Sequence, residues 1–321
     1  MTGNIFSNLI FSLNATMPIF FMMVIGYGLR EIGWLKEPTI GTINKLVFKL
    51  FLPALLVIDL AKQDFTSIWD GQFVLFCLIA TILSIFIAAC LSLFNKNKKD
   101  RGEMIQAGYR SAAATLGIVY MANIYDNAAM VSLMIIGSVP LYNIFAVLIL
   151  TITSPENKKL DNKWAVLKKS LINTAKNPII LGIIIGMLWS LLKIPQPVMV
   201  MKTVTYLGNV ASPLALIGLG ASFHFTDVRE KLGPVCMVVA CKLFLLCAIF
   251  LPVAVTLGFR DEKLVAALIM LGSATTSSSF IMAQNMGHEG KISSCAVMLS
   301  TLFSAFSMTF WLFILKSMGY V

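Results

Sequence analysis

The chain has 321 residues, of which 58% are hydrophobic and 12% are charged, and its net charge is +10. A soluble globular domain carries about 25% charged residues, so this composition excludes a fully water-exposed surface and predicts an all-α polytopic membrane protein. The basic residues fall in short loops between apolar segments, a pattern that indicates membrane topology and no nucleic-acid partner. The six cysteines have no CxxC or other metal-ligand spacing, so no metal and no other cofactor is expected.

Ten apolar segments are candidates for membrane-spanning helices, because a helix needs about 20 residues to cross the hydrocarbon core. In chain order they cover residues 5–28, 46–60, 72–94, 104–125, 128–153, 177–192, 198–223, 232–257, 263–286 and 293–318. With the N-terminus outside, most of the 25 Lys and Arg residues, Arg110 among them, fall on the inner side. This bias predicts a multi-pass protein of the cell membrane with both termini outside.

The two halves of the chain are related by an internal repeat at a spacing of 160 residues. The matched pairs include Pro18 and Pro178, Gly26 and Gly186, and Pro53 and Pro213. Each half holds five spans, and an odd number of spans turns the second half upside-down relative to the first. The predicted fold is therefore ten transmembrane helices in two inverted five-helix repeats, 1–153 and 177–321, joined by a cytoplasmic linker at 154–176. Inverted repeats are a transporter architecture that binds substrate near the midplane, between broken helices.

Two stretches of small and hydroxyl residues lie at mid-span in matching segments. They are SAAATLG at 111–117, in the fourth segment, and SATTSSS at 273–279, in the ninth. Such residues let membrane helices pack closely; alternatively, both helices are broken there and cross. A break exposes main-chain groups that need protein or a wet cavity around them, and half-helix N-termini then present positive dipole ends to an anion. The paired positions favour broken crossing helices four and nine.

The predicted substrate-binding residues lie at these two stretches and shortly after the second. They are Thr115, Leu116, Gly117, Thr275, Thr276, Ser277, Ser278, Ser279, Gln284 and Asn285. Two charged residues inside spans are candidates for coupling or for attracting an anion. Lys242 either attracts the substrate, replaces a coupling cation or snorkels to the interface. Asp59 either takes part in proton coupling or contacts solvent at the membrane edge.

Four stretches resemble the auxin efflux carrier family, which includes plant auxin exporters and bacterial malate or malonate permease-type proteins. They read LFLPALLV (50–57), KNPIILGIIIGML (176–188), SPLALIGLGASF (212–223) and SSSFIMAQNMG (277–287). The resemblance covers essentially the whole chain. It implies organic-anion transport without ATP hydrolysis, and the chain has no GxxxxGK[ST] phosphate loop.

The same resemblance implies a division of the helices into two parts. A scaffold formed from 5–60 and 177–223 would mediate a homodimer, and a transport domain formed from 72–153 and 232–318 would contain the crossed helices. Family members often carry proline at the crossing, whereas Val119 and Thr275 stand at the equivalent positions here.

The hypothesis from the sequence is a secondary transporter of a small organic anion, either malate or malonate or an auxin-like carboxylate, that works by alternating access in the lipid bilayer. The alternative is a transporter-like membrane receptor or sensor that binds an organic anion without moving it. An enzyme is disfavoured, because the hydroxyl row has no adjacent His, Lys or Asp at the spacing of a nucleophile and its base. Coupling to protons, to sodium or to neither stays open.

Overall fold

The computed structural model describes residues 2–61, 70–113, 120, 121, 124, 125, 129–154, 176–193, 195 and 197–321. Within these residues every regular element is a helix, and five helices are long and apolar enough to cross a membrane. These five are Gly71–Leu93, Leu133–Thr153, Val198–Ala221, Arg229–Thr256 and Lys291–Ser317. The prediction of an all-α, multi-pass membrane protein is confirmed for the described part of the chain, whereas the number of ten spans stays a prediction.

The helices in chain order are α1 (Thr2–Glu31), α2 (Glu37–Leu46), α3 (Leu52–Ala61), α4 (Gly71–Leu93), α5 (Arg101–Tyr109), α6 (Ala129–Thr153), α7 (Pro178–Leu191), α8 (Val198–Ala221), α9 (Phe225–Ala240), α10 (Leu246–Thr256), α11 (Asp261–Gly272), α12 (Ser278–Asn285) and α13 (Lys291–Ser317). A π-helical turn at Val47–Phe51 joins α2 to α3, and another at Cys241–Leu245 joins α9 to α10.

The first π-helical turn changes the extent of the second predicted segment. That segment was placed at 46–60, but α2, the turn and α3 form one helical rod from Glu37 to Ala61. Because Glu37 and Lys45 are charged, hydropathy alone predicts a start of this segment that is nine residues too late.

Helix α4 shows how the sequence pattern suits a lipid surround. Leu75, Ile79 and Phe86 are exposed, while Thr81 and Ser84 on the same helix are buried. This distribution is the reverse of a soluble helix, because lipid tails solvate apolar side chains, and small residues such as Ser and Thr let the inner face pack closely against other helices.

The KNP stretch sets the start of α7. The Asn177 side chain accepts a hydrogen bond from the Ile179 N–H at 2.9 Å, and Pro178 occupies the first turn, where its missing N–H leaves no donor unpaired. The helix has 14 residues and is about 21 Å long at 1.5 Å per residue. It is therefore short for a span.

Glycines allow two pairs of helices to touch through their main chains. A Cβ on Gly26 of α1 would collide with the Ile217 carbonyl of α8, and one on Gly186 of α7 would lie 2.9 Å from the Val57 carbonyl of α3. Small residues at such positions bring membrane helices close together. The two contacts are equivalent under the 160-residue repeat, since Gly26 matches Gly186 and Val57 matches Ile217.

Ion pairs hold the first turns of α5 and α11. Asp100, before α5, accepts a hydrogen bond from the Lys231 ammonium of α9 at 2.7 Å. Asp70 caps α4 by accepting from the Phe73 N–H at 3.0 Å, and it pairs with Lys263 of α11. The Lys263 contact, with help from the Phe73 N–H, lowers the pKa of Asp70 below its usual value. The N-terminal end of α5 is thus tied to α9, and the N-terminal ends of α4 and α11 are tied to each other.

Helices α5 and α11 both stop inside the protein. α11 ends at Gly272 and α12 begins at Ser278, with Ser273 in an extended conformation (φ −72°, ψ 161°). α5 ends at Tyr109, and Arg110 is extended (φ −73°, ψ 129°). The two extended segments meet where the Ala112 N–H donates to the Ala274 carbonyl at 2.8 Å. The break predicted in segment 263–286 is therefore present without proline. In segment 104–125 the first half-helix ends as predicted, and residues 114–119 lie outside the described part.

We expect Gly26→Ala to lower the thermal unfolding midpoint in detergent, because the added methyl group would meet the Ile217 carbonyl. Overpacking of this kind costs roughly 1–3 kcal/mol. The matched control is Gly28→Ala on the same helix, where an added Cβ meets nothing within 4 Å; it should be neutral or stabilising by about 0.5–1 kcal/mol. Equal midpoints for the two variants would contradict the close approach of α1 and α8.

Candidate functional site

A cavity of about 70 Å³ lies beside the point where the two extended segments meet. One wall is formed by α3, α7 and α8, including Leu52, Leu56, Asp59 and Ile179; the other is formed by the breaks and α6, including Arg110, Asn143, Thr276, Ser277 and Ser278. The first wall comes from the regions that the sequence assigns to a scaffold and the second from those assigned to a transport domain. That division stays a prediction.

Arg110 is the cation of this cavity, and it is only 2% exposed. Its Nη2 donates to the Asn143 Oδ1 at 2.8 Å and to the Ser278 Oγ at 2.9 Å, and its Nη1 contacts the Met282 Sδ at 2.8 Å. Its Nε has no hydrogen-bond partner among the described residues. All these partners are neutral, so the guanidinium keeps its full positive charge beside the cavity.

The burial of Arg110 is informative because no described carboxylate lies within ion-pair distance of it. A buried charge without a counter-ion costs several kcal/mol after relaxation. Ionisable residues inside membrane spans mark functional sites, and the complement of a guanidinium is a carboxylate or a phosphate.

Sequence reasoning missed Arg110 and counted it with the basic residues of the inner loops. The signal for finding it was its place inside the apolar segment 104–125, directly before SAAATLG, since ionisable residues within spans mark functional sites. The break decides its direction: with α5 ended at Tyr109, its side chain lies against α6 and α12 and not in a loop.

The hydroxyl row is divided between two tasks. Thr276, Ser277 and Ser278 line the cavity, and the Thr276 and Ser278 hydroxyls are 3.2 Å apart. Since α12 begins at Ser278, its N-terminal end, which carries a positive partial charge, also lies at the cavity.

The remaining residues of the row face the protein interior. The Thr275 hydroxyl donates to the Ala107 carbonyl at 2.9 Å, and the Thr275 N–H donates to the Ser300 Oγ at 3.0 Å. Ser279 is fully buried, and its carbonyl accepts from the Gln106 Nε2 at 2.7 Å. These two residues hold the break in place and do not line the cavity.

Gln284 and Asn285 lie two turns further along α12 and contact α2. The Asn44 Nδ2 donates to the Gln284 Oε1 at 2.7 Å, and the Asn285 Nδ2 donates to the Asn44 carbonyl at 3.2 Å. The structure thus does not bring these two predicted binding residues to the cavity. Thr115, Leu116 and Gly117 lie outside the described residues.

The two charged candidates occupy different places. Asp59 lines the cavity from α3. Lys242 does not line it, and its side chain is 0% exposed, with its ammonium 2.6 Å from the Leu271 carbonyl. The snorkelling alternative for Lys242 is therefore wrong: the side chain points into the protein, where main-chain carbonyls solvate the charge.

A multi-pass helical protein with broken helices beside a cavity that contains charged and hydroxyl side chains has the features of a membrane transporter. A family model described as "Membrane transport protein" matches residues 11–312, nearly the whole chain. The chain therefore belongs to this membrane transport family, and the resemblance to the auxin efflux carrier family is confirmed.

Two relatives match the chain over almost its full length. A protein of Methanothermobacter thermautotrophicus described as "Uncharacterized transporter" is 21% identical over 316 residues, covering 94% of this chain and 97% of that protein. A protein of Rhizobium meliloti described as "Putative malonate transporter" is 22% identical over 312 residues, covering 94% and 95%. Family and relatives are named for transport, so the chain is a membrane transporter and not an enzyme.

We expect Thr275→Val to lower the free energy of unfolding by about 1–3 kcal/mol, because it leaves the buried Ala107 carbonyl without its hydroxyl donor. Thr276→Val is the matched neighbour: its hydroxyl is half-buried, and its hydrogen-bond partner among the described residues is the Ser278 hydroxyl, so its cost should be smaller. Thermal unfolding in detergent measures both. A larger loss for Thr276→Val would contradict the division of the hydroxyl row.

Proposed function

We propose that this protein is a secondary transporter of a small organic anion, which binds at Arg110 in the cavity beside the helix breaks. The observation that carries the proposal is a guanidinium that is 2% exposed, lines the cavity and has only neutral partners among the described residues. Arginine binds a carboxylate through two parallel hydrogen bonds, which makes it the preferred side chain for recognising planar anions.

With Asp59, which also lines the cavity, in its protonated form, the charge of the site favours a dicarboxylate. Arg110 contributes one positive charge, and the N-terminal end of α12 adds roughly half a charge. The hydroxyls of Thr276 and Ser278 supply donors between them. A second carboxylate on the ligand would then meet the helix end while the first meets Arg110. The printed name of the Rhizobium meliloti relative, a malonate transporter, fits this chemistry.

The size of the cavity favours a small ligand. Roughly 10–15 Å³ by this measure holds one water molecule, so a cavity of about 70 Å³ has room for roughly five. Malonate and malate are of that order, whereas indole-acetate, an indole ring that carries a carboxymethyl group, is larger. We therefore place three- and four-carbon dicarboxylates ahead of auxin-like compounds as substrates.

Alternating access is supported by the position of the cavity and by the repeat. The cavity walls come from the predicted scaffold and the predicted transport domain, so a relative movement of the two parts would open it to one side or the other. The contacts Gly26–Ile217 and Gly186–Val57 follow the same 160-residue offset as the sequence repeat. They support inverted five-helix units at 1–153 and 177–321 and, with them, ten spans in the cell membrane with both termini outside.

Proton coupling through Asp59 is part of the proposal. Asp59 lines the cavity on the wall facing Arg110's segment, so an anion entering the cavity would favour its protonated form through like-charge repulsion. Proton uptake by Asp59 would then accompany anion binding. We also include the homodimer that the family resemblance implies.

The function is tested with purified protein in proteoliposomes, using labelled malonate, malate and indole-acetate. We expect saturable malonate uptake that malate inhibits more strongly than indole-acetate does. Binding without flux under any gradient would favour the sensor instead. If no carboxylate binds and none is transported, the assignment of an organic anion is rejected.

We expect Asn143→Asp to weaken malonate binding by about tenfold or more, which is about 1.4 kcal/mol. The change is nearly isosteric and places a carboxylate at the acceptor 2.8 Å from the Arg110 Nη2, so it neutralises the cation without removing it. The unfolding midpoint without ligand should be unchanged or higher, because a buried charge gains a partner. Isothermal titration measures the affinity.

The control for this variant is Asn143→Ser, which shortens the side chain but leaves the site neutral. Its loss of affinity should be smaller than that of Asn143→Asp. If Asn143→Asp binds malonate as well as the wild type does, the charge of Arg110 is not what holds the anion.

A further inference from the structure

Lys242 lies behind the helix breaks, on the side away from the cavity. It belongs to the π-helical turn Cys241–Leu245 and is 0% exposed. Its ammonium donates to the Leu271 carbonyl at 2.6 Å and to the Ser111 hydroxyl, and the Met270 and Tyr109 carbonyls are both 3.4 Å away.

These carbonyls belong to the last turns of two different helices. Tyr109 ends α5, and Met270 and Leu271 belong to the last turn of α11. The last carbonyls of a helix lack intrahelical partners, and inside a membrane each needs another donor. A single ammonium group therefore serves the C-terminal ends of both interrupted helices.

The charges in this cluster balance. A helix C-terminus carries roughly half a negative charge, so two of them sum to about one, the charge of the ammonium group with opposite sign. Among the described residues no carboxylate lies within ion-pair distance of Lys242. The hydrogen-bond partners of its ammonium in that part of the chain are thus main-chain carbonyls and one hydroxyl.

Unwound carbonyls and half-helix C-terminal ends are the groups that coordinate sodium in secondary transporters with broken helices. We propose that the Lys242 ammonium permanently occupies the place of such a cation, so that the breaks need no sodium or other metal ion to hold an anion at Arg110. The part of this inference that concerns anion binding at Arg110 rests on the proposed function. Lys242 is a positioning residue, since it does not line the cavity and acts through the backbone of the two breaks.

The connection from Lys242 to the anion site runs through Ser111. The Ser111 hydroxyl contacts both the Lys242 ammonium and the Met270 carbonyl, and Ser111 also lines the cavity next to Arg110. Neutralising the carbonyls behind the breaks leaves the charge of Arg110 available to the ligand in front of them.

The test compares Lys242→Ala, which empties the position, with Lys242→Met, which fills it without a charge. Thermal unfolding is followed without any carboxylate, at constant ionic strength, in N-methylglucamine, sodium, lithium or butylammonium chloride. The wild-type midpoint should not depend on the cation. In N-methylglucamine chloride the midpoint of Lys242→Ala should lie below that of the wild type. In sodium, lithium or butylammonium chloride it should be about 2–4 °C higher than in N-methylglucamine chloride. Lys242→Met should fall without recovering, because its side chain occupies the space.

The matched control is Lys202→Ala, which removes an exposed lysine of α8 and should show no response to the identity of the cation. A Lys242→Ala variant that folds but responds to none of the cations would overturn the proposal. A wild-type protein whose unfolding midpoint or malonate affinity depends on sodium would also overturn the proposal. If Lys242→Ala does not fold, the sodium dependence of the wild type is the measurement that tests the proposal.

The cation experiment separates this inference from the proposed function, since it uses no carboxylate. A cation-dependent Lys242→Ala variant in a protein that binds no carboxylate would support the role of Lys242 and reject the proposed substrate. Conversely, carboxylate binding to a wild-type protein that requires sodium would support the proposed function and overturn the role of Lys242.

Discussion

The structure depends on the requirement that each main-chain carbonyl and N–H within a bilayer has a partner. Helix α5 stops inside the protein, and its last carbonyls lack the next turn. The Arg110 N–H, directly after α5, still reaches the Gln106 carbonyl. Other elements supply further donors: the Thr275 hydroxyl reaches Ala107, and the Lys242 ammonium reaches Tyr109. A helix can be interrupted here because donors from elsewhere replace those of the missing turn.

The same interruptions separate positive from negative charge. The C-terminal ends of α5 and α11 are negative and face Lys242, while the N-terminal end of α12 is positive and lies at the cavity with Arg110. Because Asn143 and Ser278 are neutral, they hold the guanidinium without cancelling its charge at the cavity. The proposed anion site thus combines the direction of the broken helices with two fixed cations, one on each side of the breaks.

The opposite wall of the cavity depends on close packing. Helices α3 and α7 touch through Gly186, and α1 and α8 touch through Gly26, with main-chain carbonyls as the facing atoms in both contacts. In lipid there is no hydrophobic force between helices, so stability comes from the number of atoms in contact and from hydrogen bonds across the interface. Polar residues concentrate on the breaks, whereas this wall is built mainly from apolar side chains and small residues, with Asp59 as its acidic member.

The amino-acid sequence by itself determined the membrane class and the places where the helices are interrupted. Lipid requires long apolar helices, and small and hydroxyl residues within them mark positions where regular winding is dispensable. Only the tertiary structure decided which side chains meet at the cavity. The extended conformation of Arg110 (ψ 129°) brings to α12 a residue that hydropathy counted with a loop, and the winding of α12 carries Gln284 to Asn44 and away from Ser278. Side-chain direction after a helix break depends on one or two backbone dihedrals, and a pattern of residue types along the chain does not encode them.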